Sequence, residues 1–232
     1  MRRRTAVARR TRRPTTRGRD WLPINEHILA PSPGTVLDAV ERVPPALDWP
    51  TLAPRLVPVL PRLRPYPKYF PAPVVVVPPP GISVGVGVDI GPAFLHVDAN
   101  LLAHWGRSID EVLERALSNV RRKARTIDPA WLTRQPIDGV PVSVLHTGGG
   151  WASATLLLPD VLVRAFGPAP QLLVAPMRDV VLAMPADVDR EFAAWVAEEF
   201  ESLDPNCLHL GGFLLRDGRL TCEPLEAAWG SA

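Results

Sequence analysis

The sequence predicts an α+β domain: a largely antiparallel sheet with two main helices packed on one face, preceded by a proline-rich extended arm and a disordered basic tail. Three observations carry that expectation. Short apolar runs recur along residues 81–232 and are joined by tight-turn signals. Two stretches, from Ile109 onward and over 187–202, repeat apolar residues at helical spacing. Sixteen of the 28 prolines fall between Trp21 and Pro80, where they exclude long helices and central strands.

The first segment, residues 1–20, is too charged and too poor in apolar groups to offset the entropy of ordering, and is expected to be disordered. Residues 1–19 hold nine arginines and no acid. The remainder of the chain therefore carries seventeen cations against 24 acids, a charge of −7 behind the overall +2. Arg2, Arg3, Arg4, Arg9, Arg10, Arg12 and Arg13 could anchor a nucleic acid through counterion release. A solvated tail or a misassigned start codon is the favoured explanation, because such tails bind phosphate polymers without selectivity. The tail lacks the apolar run of a signal peptide, and no stretch reaches the ~20 apolar residues that span a bilayer, so a cytoplasmic protein without a membrane partner is expected.

Residues 21–80 read as an arm that packs on the core, with one short helix over 34–43 where Val36, Leu37, Val40 and Val43 recur. Apolar residues between its prolines favour self-packing over display as an SH3-type ligand. The globular domain is expected from Gly81 to the end. With 232 residues and 47% hydrophobic content, the chain is long enough for a substantial core.

"ISVGVGVDI", 82–90, alternates as a strand with one covered face, and "AFLHV", 93–97, completes a hairpin. Asp98 opens a short helix containing Leu101, Leu102 and Trp105, which Gly106 ends. Ser108 and Glu111 form a capping box for the next helix. Its residues Ile109, Val112, Leu113, Ala116, Leu117 and Val120 make one apolar stripe, and its acids precede its cations as the helix dipole prefers. Glu111 and Arg115 are spaced for an i,i+4 pair. "VSVLHT" and "WASATLLL" read as strands joined by Gly148–Gly150, and "QLLVAP" with "DVVLAM" as a further pair. A helix fits 187–202, and Asp217-Gly218 marks a last hairpin in "FLLRDGRLTCEP".

The run "VDIGPAFLHVDANLLAHWGRSIDEVLERALSNV", with "WASATLLLP" and "VAPMRDVVLAM" after it, resembles a bacterial family of YtpQ-like proteins of unknown function. The matching positions are Asp89, Trp105, Gly106, Ala116, Asn119, Pro176, Arg178 and Asp179, within a likeness covering roughly residues 80–225. The arginine tail and the proline arm depart from the family pattern. The resemblance implies a shared fold and an intracellular bacterial setting, and no reaction.

No catalytic set, cofactor motif or metal motif emerges. The candidate polar site is His96, Asp98, Asn119, His146, Arg178 and Asp179. His96, Asp98 and His104, with His146 and Asp89 as further members if the fold brings them near, have the chemistry of zinc or iron ligands, but His104 is eight residues from His96 and no helical His pair at i,i+4 exists, so ordinary polar or capping roles are favoured. Asn119 lies at the border of an apolar stripe, either fastening its helix to a loop or facing a ligand. "TGGGW", 147–151, lacks the lysine of a phosphate loop and reads as a hairpin turn. Ser143, Ser153 and Cys207 lie in strand-like patterns without a nucleophile elbow. Cys207 and Cys222 read as buried thiols outside any zinc or dithiol spacing. The expectation is a non-enzymatic binding or accessory protein with a protein partner. The alternatives are a metal-dependent hydrolase using a His/Asp cluster and a nucleic-acid-associated protein acting through the tail.

Overall fold

The computed structural model describes residues 33–41, 43, 47–60, 72–78, 81–91, 93–204, 207–208 and 210–225. The expected tail and much of the expected arm lie outside the described residues.

Within the proline-rich region, helix α1 (Pro33–Glu41) falls where Leu37 and Val40 predicted it. A single-turn helix α2 (Trp49–Leu52) is capped by the Asp48 carboxylate, which accepts from the Thr51 amide at 3.3 Å. A 3-10 turn over Ala53–Arg55 leads into strand β1 (Leu56–Val59). Pro58 cannot donate to a ladder, and β1 accordingly lies at an edge of its sheet. All four of its residues are buried, so this piece of the arm is built into the core rather than laid over it.

β1 pairs antiparallel with β2 (Gly85–Asp89), which pairs antiparallel with β3 (Phe94–His96). Gly87, at the centre, has no alternative. A Cβ there would stand 2.8 Å from Val59 Cγ2 and 3.0 Å from Phe94 Cβ, closer than a side chain can sit without moving its neighbours. Helix α3 (Ala99–Trp105) opens on Asp98, whose carboxylate accepts from the Leu101 amide at 2.8 Å, and ends on Gly106 at φ 61°. Helix α4 (Ile109–Lys123) then starts on a complete capping box of Ser108 and Glu111. Glu111 pairs with Arg107 at 3.1 Å, not with the expected Arg115. The side chain that holds the cap thus also takes the cation one turn before it.

The second sheet has strands β4 (Leu132–Ile137), β5 (Val140–His146), β6 (Gln171–Met177), β7 (Val180–Pro185), β8 (Gly212–Arg216) and β9 (Arg219–Glu223), in the order β4-β5-β7-β6-β8-β9, all antiparallel. Asp138-Gly139 and Asp217-Gly218 both adopt positive φ and close two-residue hairpins. The first of these joins β4, a strand the apolar pattern does not reveal because its burial is poor, with Thr133, Arg134 and Pro136 exposed.

The chain is therefore α+β with antiparallel sheets, and each main helix covers one face of a different sheet. The α4 stripe, with Val112, Ala116 and Val120 fully buried, lies on β1, β2 and the preceding 3-10 turn. Helix α6 (Arg190–Glu201) brings Ala193, Val196 and Phe200 against Val144, Leu172, Val174 and Leu182 of the larger sheet. The opposite face of that sheet offers Leu145, Leu173, Val181 and Phe213 to a core shared with the smaller sheet. Burial on both faces explains why β6 and β7 read as continuous apolar runs.

"WASATLLL" is not a strand. Ala152–Leu157 forms a 3-10 helix that continues into helix α5 (Pro159–Phe166), with Pro159 in the first turn, where a missing N–H costs nothing. The segment wedges between the two layers. Residues 151–156 are all buried, and Trp151, Ala154, Leu158 and Val161 pack with Val57, Val59 and Val120. A segment buried on every side has no solvent face, and hence no period to read. Cys207 is half-buried and Cys222 exposed, so neither is the buried thiol expected. Among the described residues no helix is long and apolar enough to cross a membrane.

Candidate functional site

The structure gathers polar groups at one end of the larger sheet. Strand β5 ends at His146, whose register partner on β7 is Val180. That pairing places Asp179, in the β6–β7 turn, directly beside the imidazole. His146 Nε2 and an Asp179 carboxylate oxygen are 3.2 Å apart, with side-chain exposures of 30% and 17%.

The other carboxylate oxygen of Asp179 accepts from three donors: the Thr147 hydroxyl, the Trp151 amide at 3.2 Å and the Ala152 amide at 3.2 Å. The last two open the 3-10 helix. "TGGGW" thus does lead to a helix N-terminus, and the anion on its amides is the protein's own carboxylate. The Thr147 hydroxyl also accepts from the Gly149 amide at 3.2 Å, and the Ser153 amide donates to the Arg178 carbonyl at 2.9 Å.

Glycine is required in this loop. Gly150 has φ 69°, and a Cβ on it would sit 2.9 Å from Phe94 Cζ. The same Phe94 ring carries the Arg178 guanidinium at 5.6 Å from its centroid, within cation–π range. The site therefore joins β3 of the small sheet to the β6–β7 turn of the large one.

A histidine held by an aspartate is the orienting half of a nucleophilic triad. The remaining part is not assembled here. Among the described residues no serine or threonine hydroxyl and no thiol is hydrogen-bonded to His146, Thr147 gives its proton to Asp179, and Ser153 is 3% exposed.

Three of the six candidate residues meet in this corner: His146, Arg178 and Asp179. The other three lie on different elements. His96 is half-buried on β3 opposite Gly87. Asp98 is the cap of α3. Asn119 is fully buried on α4, where its amide donates to the Ala53 carbonyl at 2.8 Å and the Leu56 carbonyl at 2.9 Å, and its oxygen accepts from Arg122 at 3.1 Å. Among the described residues no three His, Cys, Asp or Glu side chains are gathered so as to hold a metal ion. Arg2, Arg3, Arg4, Arg9, Arg10, Arg12 and Arg13 lie outside the described residues.

Sequence reasoning missed Thr147 and the amides of Trp151 and Ala152. The three consecutive glycines, 148–150, were the available signal, since two of them adopt positive φ to turn those amides toward Asp179. A second feature lies beside the small sheet. A cavity of about 310 Å³ is lined by Thr35, Asp38, Ala39, Val43, Arg55, Ile90 and Gly91, between α1 and the β2–β3 turn.

Comparison of the chain with protein-family models, with curated proteins and with solved structures found no match.

Proposed function

We propose that this is a non-enzymatic binding or accessory protein of the bacterial cytoplasm that acts through contacts with a protein partner. The observation that carries this reading is the outer face of α1. The helix turns Ala39 into the core but leaves Leu37 64% and Val40 52% exposed, one helical turn apart on one face. Large apolar side chains grouped on a short amphipathic element are costly in water and gain when a partner covers them. Asp98, Asn119 and Asp179, the groups that could otherwise support chemistry, are each hydrogen-bonded to the fold's own backbone. This weakens the hydrolase alternative built on His96, Asp98 and His146. The likeness to YtpQ-like proteins supports the bacterial intracellular setting.

A photo-crosslinking residue placed at position 37 of the full chain tests the reading in cells. The expected result is one dominant adduct from position 37 that is lost on Val40→Asp and absent when the probe is at Asp217. Turnover of an ester or phosphoester by the purified protein, abolished by His146→Ala, would instead establish the enzyme. The nucleic-acid reading rests on the arginines of residues 1–19. It requires binding at physiological salt that disappears when residues 2–19 are deleted.

A further inference from the structure

We infer that the cavity between α1 and the β2–β3 turn is a binding site for a small zwitterion with an aliphatic side chain, the chemistry of a free aliphatic amino acid. This goes beyond the outer surface of α1 and does not depend on it.

Helical spacing puts the cavity and that surface on opposite sides of α1. Thr35, Asp38 and Ala39 recur at i, i+3 and i+4 and share the face that lines the cavity, while Leu37 and Val40 lie on the other. At about 310 Å³ the cavity is at the lower end of the range that small-molecule sites occupy. Its lining divides by chemistry. Ala39 and Ile90 are buried, Val43 is half-buried, and together they supply an apolar surface. Asp38, from α1, and Arg55, the last residue of the 3-10 turn, supply one charge of each sign.

Those two charges do not neutralise each other. Among the described residues neither side chain takes part in an ion pair or a hydrogen bond, although both line one cavity. Each therefore keeps its full capacity for a ligand. The carboxylate accepts from an ammonium, and the guanidinium offers a paired donor fork to a carboxylate. A ligand with a single charge satisfies one of the two groups and leaves the other idle. A zwitterion satisfies both, and its aliphatic part takes the apolar lining.

Two of the walls are braced from α4, which lowers the ordering that a ligand must impose. Arg55 sits between Ala53 and Leu56, whose carbonyls accept from the Asn119 amide at 2.8 and 2.9 Å. In the β2–β3 turn the Gly91 amide donates to Asp89 at 2.9 Å, and Asp89 also receives Lys123 of α4 at 3.4 Å. A bound zwitterion would join these braced walls to α1, so binding should stabilise the fold.

Isothermal titration of the full chain is the test, with L-leucine, with 4-methylpentanoate, which lacks the ammonium, and with 3-methylbutylamine, which lacks the carboxylate. Leucine should bind at one site per chain and raise the melting temperature progressively with its concentration. Each single-charge analogue should bind about tenfold more weakly. Asp38→Asn should weaken leucine about tenfold and leave 4-methylpentanoate unchanged, and Arg55→Gln should weaken leucine similarly and leave 3-methylbutylamine unchanged. Both substitutions are at exposed positions, and an unaltered melting temperature of each unliganded variant checks that the fold is kept. L-Leucyl-L-leucine separates the two sources of the same chemistry: tighter binding than leucine, with the same response to both variants, assigns the site to a peptide. No binding of either compound at about 10 mM, or binding indifferent to either substitution, overturns the inference.

Discussion

Asn119 shows how one side chain can decide a neighbouring element. Its position on the border of the α4 stripe was legible from helical spacing, but its two acceptors, the Ala53 and Leu56 carbonyls, lie more than sixty residues earlier. No local pattern predicts such a contact. The amide fastens α4 to the turn that launches β1, and does so with no exposure to water. Asn119→Ala should therefore lower stability by about 1–3 kcal/mol, since buried carbonyls lose a donor that water cannot replace. Asn119→Asp should cost more, because it directs a carboxylate at two carbonyl oxygens. Urea unfolding of the three proteins checks the order, and an aspartate variant as stable as wild type would show that the site is open to water. His146 and Asp179 illustrate a different limit of sequence reading. Both were identifiable as polar residues at strand ends, yet their pairing depends on a register of β5 with β7 that skips the intervening α5 and β6.

Elements whose information is local were the readable ones. The α4 cap, the α3 stop at Gly106, the Asp217-Gly218 hairpin and the β2–β3 pair all follow from residues within a few positions of each other. Residues 151–156 do not read as a helix because complete burial erases periodicity, and β4 escapes the apolar pattern because its apolar content is low although Asp138-Gly139 announces it. The capping box makes a testable element. Glu111 is held below its ordinary value, first by the Ser108 backbone amide from which it accepts and then by the Arg107 guanidinium. A carboxyl whose folded value lies below its unfolded one contributes stability above the unfolded value, and loses it as pH falls through the folded one. The advantage of wild type over Glu111→Gln should thus be full at neutral pH and vanish in acid. Thermal melts of both proteins from neutral to acid pH measure it. A difference that persists below the carboxylate range would assign the effect to packing rather than charge.

At the scale of the molecule, residues 47–60 of the proline-rich segment belong to the folding unit. Leu52, Leu56 and Leu60 are each no more than 1% exposed and join one core with Val86 and Val88 of β2, Val112 of α4 and Phe213 of β8. That core touches both sheets, so neither can lose its partner independently. A fragment starting at Gly81 would lack β1, and would leave the buried face of α4, the β2 ladder and the Asn119 amide without their contacts. Uncovering several fully buried aliphatic side chains at about 1.5–3 kcal/mol each exceeds a large part of the stability such a domain has. Residues 81–232 expressed alone should accordingly retain helix and strand signals in far-UV circular dichroism, lose near-UV signals and bind a hydrophobic dye. The chain beginning at Pro33 should instead unfold in one cooperative transition, with tryptophan fluorescence and far-UV signals coincident. A fragment from Gly81 with native near-UV spectra would show that the arm is an accessory to a core complete without it.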